Sequence, residues 1–458
     1  MISIVILAAG QGKRMKSDLP KVLQPLAGRP LLAHVLDTAR SLEPESIHVV
    51  YGHGGDQVRA SLAAADITWV EQAEQKGTGH AVQQAAPALD DAALALILYG
   101  DVPLIRPDTL RELIALAGPE AMSLLTVELA DPTGYGRIVR DAAGKIARIV
   151  EEKDASPAER AIREGNTGVM AVPVRHLRRW LSQLRNANAQ GEYYLTDIIA
   201  MAVSEGFEIH PLRARTTVET LGVNDKRQLA ELETEYRRAR ADELLTAGVT
   251  LADPARIDVR GRLVTGRDVF IDVNAVFEGE VVLGDRVHIG PQCVLRDCTL
   301  GDDVTVHPHC VIEQATVGAH SILGPFARLR PGAALANDVH IGNFVEVKNS
   351  TMAKGAKANH LAYVGDATVG ARVNIGAGTI IANYDGANKH RTIIGDDAHT
   401  GSNSVLVAPI TVGEGATIGA GSTVTKDVPA GKLTVARAKQ LTLEGWKRPV
   451  KDSKKSRE

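Results

Sequence analysis

Three stretches of this sequence place reactive side chains at spacings that suit chemistry on phosphorylated ligands. An apolar run at residues 2–7 opens into AAGQGKRMKSDLPK, where Gly10 and Gly12 stand one residue apart and Lys13, Arg14 and Lys21 add positive charge. Glycines so placed let backbone amides approach phosphate oxygens, and the cations neutralise them. A dinucleotide fingerprint would need a third glycine where Met15 stands, and no Walker GK[ST] is present, so neither of those sites is expected. Asp101 follows the apolar run 94–98 in LYGDVPL, a position from which one carboxylate can serve Mg²⁺, which prefers hard oxygens and keeps several waters. A lone aspartate after a strand is also a common turn former or helix cap, and the neighbouring phosphate loop is what favours the ligand role. Far along the chain, Arg330, Lys348, His360, Tyr363, Asn374, Asn383 and Tyr384 gather cations, amides and two phenols around one histidine. Such a set can hold a phosphate and sugar hydroxyls, and an imidazole of reference pKa ~6.5 suits proton removal near neutrality.

These side chains need two kinds of scaffold. Before residue 225, β-branched runs at 4–7, 47–50, 94–98 and 123–127 alternate with helical patterns, which implies a mostly parallel sheet wound on both faces, with ligands beyond the carboxyl ends of its strands. Residues 225–247 place Leu229, Leu232, Tyr236 and Ala239 on one helical side before Gly248, giving a connecting helix of roughly 35 Å. From Ile257 the period is six: the sixteen positions reached by stepping to Val347 are all aliphatic or small, Cys293, Thr299, Thr305 and Val311 among them. That period fits a parallel β-helix whose strands each turn an aliphatic residue inward. The series resumes at Val369 and again at Ile394, which predicts two excursions from the solenoid, one carrying His360 and the other Asn383, Tyr384 and Asp385. About nine coils, ~45 Å of stacked strands, are expected.

Composition narrows the class. A length of 458 residues calls for at least two domains, 44% hydrophobic content is ample for burial, and 3% aromatic suits a narrow aliphatic prism. A net charge of -3 gives no overall attraction to nucleic acid or membrane. Cys293, Cys298 and Cys310 have neither disulfide nor metal spacing, in keeping with a reducing compartment, and the apolar run 2–9 is too short for a signal peptide or membrane span. A soluble, cytoplasmic protein is therefore expected. The basic tail 447–457 is expected to be a solvated terminus.

LAAGQGKRMKSDLPK, QAEQKGTGHA at 72–81, LYGDVPL, DPTGYGRI at 131–138 and GEYYLTDII at 191–199 resemble the sugar-nucleotide pyrophosphorylases. Joined to a hexapeptide β-helix, the set closely resembles the bacterial bifunctional N-acetylglucosamine-1-phosphate uridylyltransferase and glucosamine-1-phosphate acetyltransferase family over almost the whole chain. The resemblance implies an α/β Rossmann-like nucleotidyltransferase domain at 1–224, a connecting helix at 225–248 and a left-handed parallel β-helix with its tail at 249–458. It implies that Leu7, Ala8, Gly10 and Lys21 hold the nucleotide phosphates, that Gln72, Gly77 and Thr78 read uracil, that Gly136, Glu151, Asn166 and Asn224 line the sugar and ribose region, and that Tyr99 is a further substrate contact. Asp101 and Asn224 match the Mg²⁺ ligands, with Arg14 and Lys21 neutralising charge during attack on UTP. In the second half, Arg330, Lys348, Tyr363, Asn374 and Asn383 match the glucosamine-1-phosphate ligands and His360 the base, while Ala377, Tyr384, Ser402, Ala420 and Arg437 match the acetyl-CoA contacts. A homotrimer through the β-helix is implied as well. Ala362 stands where threonine is familiar in this family, and Ala382 where cysteine is. The rival expectation is a single-function pyrophosphorylase whose β-helix only assembles the protein or senses effectors; a non-catalytic assembly protein is opposed by Lys21 and Asp101.

Overall fold

Near-continuous burial along Ile2–Ala8, where six of the seven residues are shielded, marks a strand covered on both faces, as parallel strands under two helix layers are. The computed structural model describes residues 1–52 and 54–450, so the tail beyond 450 lies outside the described residues. The chain divides into two compact units, Met1–Asp242 and a second from Glu243 onward, the division falling inside the helix Lys226–Thr246.

In the first unit the sheet runs in the order Glu208–Arg213, Ala121–Glu128, Glu164–Pro173, Leu94–Tyr99, Ile2–Ala8, Ser46–Tyr51, Ile67–Glu71. The strand Glu164–Pro173 is antiparallel to both neighbours and the rest pair in parallel. Alternate residues of the central strands feed two cores. Val5, Leu7 and Ile97 pack with Val82, Leu177, Trp180 and Ile198 of one helix layer, and Ile4, Ile6, Leu96 and Leu98 pack with Leu32, Leu36 and Leu110 of the other. The hairpin Gly136–Arg140 with Ile146–Val150 adds to the sheet through Glu164–Pro173.

Leu229, Leu232 and Tyr236 of the helix Lys226–Thr246 pack on Met15, Leu26, Leu31 and Val223. The expected stripe ends there: Ala239 is exposed, and Ala241 and Leu244 are buried instead. Gly248 stops the helix at a φ of 92°, a left-handed conformation that glycine adopts without penalty.

The second unit is the expected left-handed β-helix, one of its faces carrying eleven stacked strands. Along most of the stack each strand region turns two alternate residues inward, such as Val269 with Ile271, Val287 with Ile289 and Val304 with Val306. This corrects the single inward column read from the sequence. Most coils advance by 17 or 18 residues, as the pairs Arg286–Asp303 and Arg267–Asp285 record. At short coils the inward path runs Cys293, Cys298, Val304, Cys310, so Thr299 is exposed and Thr305 and Val311 are only half-buried. The sixfold series meets the interior again at Val317 because it has moved onto the other inward residue of the pair.

The first predicted excursion is also corrected. Val347 pairs with Val364 and Met352 with Val369, two coils each one residue short, and His360 ends a regular strand, Lys357–His360. The second excursion is present: between Ile380–Ala382 and Thr392–Ile394 the chain leaves the solenoid in a loop closed by the bridge Tyr384–Lys389.

Candidate active sites

In the first unit the loop after Ile2–Ala8 folds over Lys21. Gly12 makes this possible: its φ is 63°, and a Cβ there would lie 2.8 Å from Lys21 Cβ. At Gly10 a Cβ would clear Lys21 Cε by 3.9 Å, and the glycine opens onto a cavity of about 520 Å³ instead. Leu7, Ala8, Gly10, Lys21, Gln72, Gly77, Thr78, Tyr99 and Asp101 all line that cavity, at the carboxyl ends of Ile2–Ala8 and Leu94–Tyr99. Lys21 Nζ lies 2.5 Å from Asp101 Oδ2 and donates to Asn224 Oδ1 at 3.4 Å. The last pair is brought together by the backbone, since Val223 N–H donates to the Asp101 carbonyl at 3.0 Å. Arg14 stands apart: it is exposed on the short helical turn Lys13–Met15 and does not line the cavity.

The opposite wall is built from 72–81 and 191–199. Gln72 is buried and its amide nitrogen donates to the Gly77 carbonyl at 3.1 Å. Gly77 precedes the helix Thr78–Ala85 at a φ of 105°, where a Cβ would lie 2.7 Å from the Tyr193 carbonyl oxygen. Gly79 N–H donates to that carbonyl at 2.8 Å, and Thr78 Oγ1 accepts from Leu195 N–H at 3.2 Å. Gly136 and Asn166 face each other across neighbouring strands, and a Cβ on Gly136 would lie 3.5 Å from Glu151 Oε2, so these three converge. Burial pushes the Glu151 carboxyl up, aided by Asp197, Asp154 and Glu192 and opposed by the Thr196 hydroxyl, which donates to it at 2.9 Å. Burial likewise raises the Tyr99 phenol.

The second constellation stands on the β-helix. Arg328, Glu346 and Tyr363 occupy one register column of a face, with Val347 and Val364 turned inward beside them. Arg330 Nη1 pairs with Glu346 Oε1 at 2.7 Å, and that hydrogen bond holds the guanidinium above the usual arginine range. His360 Nδ1 meets Asn343 Oδ1 at 2.9 Å. Beyond the strand ends, Gly378 N–H donates to the His360 carbonyl at 3.2 Å, Asn403 N–H to the Ala377 carbonyl at 2.7 Å and Gly421 N–H to the Ser402 carbonyl at 2.8 Å, and Arg437 Nη1 donates to the Ala420 carbonyl at 2.6 Å. One corner of the prism therefore collects His360 and four of the expected cofactor contacts. Asn374 lies on that same face, paired with Lys357 and His399.

Three participants escaped the sequence reading. Asp366 is buried and accepts from Asn349 Nδ2 at 2.5 Å and from Asn383 Nδ2. Burial would raise its carboxyl, but these amides and the nearby Lys348 and Lys389 hold it below the usual range. Asn383 is thus an anchor of the inserted loop as well as a candidate ligand. Lys389, on that loop, is pushed below the usual lysine range by the adjacent Lys348. Tyr384 is exposed on the same loop, its hydroxyl donating to the Gly386 carbonyl at 2.6 Å. Asn343 is the third; nothing local marks these residues, because their partners sit one coil away.

The MobA-like NTP transferase domain family matches residues 4–218, the GMPPB C-terminal domain residues 259–343, and the bacterial transferase hexapeptide (six repeats) residues 391–426. The chain is 64% identical over 450 residues to the Bifunctional protein GlmU of Azoarcus sp. (strain BH72), covering 98% of this chain and 100% of that one. It is 63% identical to the Bifunctional protein GlmU of Cupriavidus pinatubonensis and 62% to that of Ralstonia nicotianae, each over 99% of this chain and 100% of the relative. The chain belongs to the GlmU family. It is accordingly a bifunctional enzyme, a uridylyltransferase and an acetyltransferase, with the transferase domain amino-terminal and the hexapeptide domain carboxyl-terminal. Among the described residues no helix is long and apolar enough to cross a membrane.

Proposed function

We propose that residues 1–224 bind UTP and N-acetylglucosamine-1-phosphate in the cavity over Lys21, and that 249–458, joined through 225–248, acetylate glucosamine-1-phosphate from acetyl-CoA. The observation that carries this reading is that the two constellations, Lys21 with Asp101 and Asn224, and His360 with Arg330, Lys348 and Tyr363, each lie within a separately compact unit.

For uridylyl transfer, a phosphate oxygen of the sugar phosphate forms a bond to the α-phosphorus while the α–β phosphoanhydride breaks and pyrophosphate leaves. The demand is alignment and charge neutralisation. Lys21 supplies a fixed cation at the phosphates, and Gly10 leaves the backbone open to them. Glu151, Asn166 and Gly136 hold the sugar, with Tyr99 beside them. Gln72, Gly77 and Thr78 frame the base. Asp101 and Asn224 already bracket one cation between a carboxylate and an amide oxygen, 2.5 and 3.4 Å from Lys21 Nζ, a hard donor pair that fits Mg²⁺. When bound there, the ion would neutralise the triphosphate and help orient it. Arg14 requires a rotation of its exposed side chain to reach the same phosphates.

For acetyl transfer, Arg330, Lys348 and Lys389 bind the phosphate, and Tyr363, Asn374 and Asn383 the hydroxyls. His360 takes the amine proton as nitrogen bonds to the thioester carbonyl carbon, the carbon–sulfur bond breaks, and coenzyme A leaves with that proton on its sulfur. Ala377, Ser402, Ala420 and Arg437, along the corner, with Tyr384 on its loop, contact acetyl-CoA. A cytoplasmic homotrimer is the assembly we infer. Its support is the exposed strip of Phe326, Phe344 and Leu361, with the two phenylalanine rings stacked at 5.3 Å, beside His360.

The test is paired. Purified protein is assayed for uridylyl transfer with Mg²⁺ and for coenzyme A release with glucosamine-1-phosphate. His360→Ala is expected to lose only the second reaction. Loss of both in folded protein refutes separate sites, and uridylyl transfer without acetyl transfer in the parent chain favours a β-helix that only assembles. Light scattering reads the oligomeric state.

A further inference from the structure

We propose that Asn343 is the positioning residue that fixes the tautomer and aim of His360 in acetyl transfer, an inference that rests on the reading of His360 as the base. Asn343 and His360 are register partners on neighbouring strands, and Leu361 N–H donates to the Asn343 carbonyl at 3.1 Å, which locks the two rungs together. The side chains meet across this rung, Asn343 Oδ1 lying 2.9 Å from His360 Nδ1. An amide oxygen only accepts, so Nδ1 carries the ring hydrogen and Nε2 keeps its lone pair. His360 is exposed, so that lone pair is open to a ligand.

A second observation bears on the same corner. Each partner is followed by a bulky residue in the left-handed region, Phe344 at a φ of 57° and Leu361 at 49°. Side chains of that size rarely adopt it, and such backbone persists where the surroundings over-determine it. Here it turns both strands immediately after the paired side chains, so the geometry of Asn343 and His360 is set by the fold. His340, on the same strand as Asn343, has Lys357, His307 and His360 as its charged neighbours, and among the described residues no carboxylate is bonded to the His360 ring. A neutral amide thus orients the imidazole without the added negative charge that an aspartate would bring.

Two variants of the full chain separate this role from a structural one. Asn343→Leu removes the acceptor, and kcat for acetyl transfer is expected to fall roughly tenfold to a hundredfold, with both KM values within about twofold of the parent. Asn343→Asp keeps the acceptor and adds a charge, so acetyl transfer persists at alkaline pH and the acidic limb of its kcat/KM profile moves up by about one unit or more. A parental kcat in Asn343→Leu, or an unmoved limb in Asn343→Asp, overturns the proposal. If Asn343→Leu fails to assemble, the limb in Asn343→Asp decides. His360→Ala separates the two readings: acetyl transfer surviving in it sinks the base assignment itself, whereas its loss with unaltered Asn343 variants sinks only the positioning role.

Discussion

Gly77→Ala tests whether the cavity wall depends on one backbone conformation. Gly77 has φ 105° and ψ 175°, a region essentially closed to side chains, and a methyl there would sit 2.7 Å from the Tyr193 carbonyl oxygen and 2.9 Å from Glu192 Cβ. Backbone strain of this kind costs about 1–3 kcal/mol, before any cost of moving the opposing segment Glu192–Tyr193. That segment cannot yield cheaply, because Gly79 N–H and Lys76 C=O are both hydrogen-bonded to Tyr193 at 2.8 Å. At 1.36 kcal/mol per decade, the range corresponds to about 5-fold to 150-fold against the binding-competent wall. Displacing Gly77 also loosens Gln72, whose amide donates to its carbonyl. The expected result is a KM for UTP raised within that range, and a midpoint for unfolding of the first unit lowered by about 2–12 °C. Acetyl transfer is expected to stay at the parental rate. Uridylyl transfer kinetics and a thermal melt measure both effects. An unchanged UTP KM together with an unchanged melt refutes the reasoning.

Asp101→Ala leaves Lys21 without its carboxylate and removes the harder of the two oxygen donors; uridylyl transfer at any Mg²⁺ concentration is expected to fall at least about a thousandfold, with acetyl transfer intact. Glu151→Gln addresses a carboxyl held up by burial. Since the folded protein binds that proton more tightly than the unfolded chain, the stability linked to it is full below the unfolded pKa and is lost as pH rises through the folded one. The variant should therefore melt higher than the parent at pH ~7, with the gain vanishing near pH ~4; a gain independent of pH contradicts the assignment. Cys293, Cys298 and Cys310 are all buried, and burial pushes the Cys298 thiol up to about 12. A thiol-specific chromogenic reagent should find no reactive cysteine until denaturant is added, and rapid labelling of the native protein would show an opening absent from this fold.

The amino-terminal half was legible because its chemistry is written in contiguous residues. A strand leading to Gly10, Gly12 and Lys21 states its own geometry, and Asp101 falls at the end of the adjacent parallel strand, so one loop and one strand end already define the cavity floor. Asn224 was reachable only through resemblance, since what brings it to Lys21 is a backbone hydrogen bond from Val223 to Asp101. The β-helix obeys a different rule. Its period announced the architecture, yet a sixfold count cannot tell which of two inward residues it is following. Single-residue shortenings therefore carried the count through Thr299, Thr305 and Val311 and made a loop of the strand that ends at His360. In a solenoid a side chain's neighbours are the residues one coil away, so Asn343 under His360 and Lys389 beside Lys348 become visible only once the coil lengths are known. The inserted loop makes the same point in reverse. It was legible as a break in phase, but its anchor, Asp366, comes from the coil before it, and a carboxylate that holds Asn349 and Asn383 while facing two lysines has no signature in its own stretch of chain.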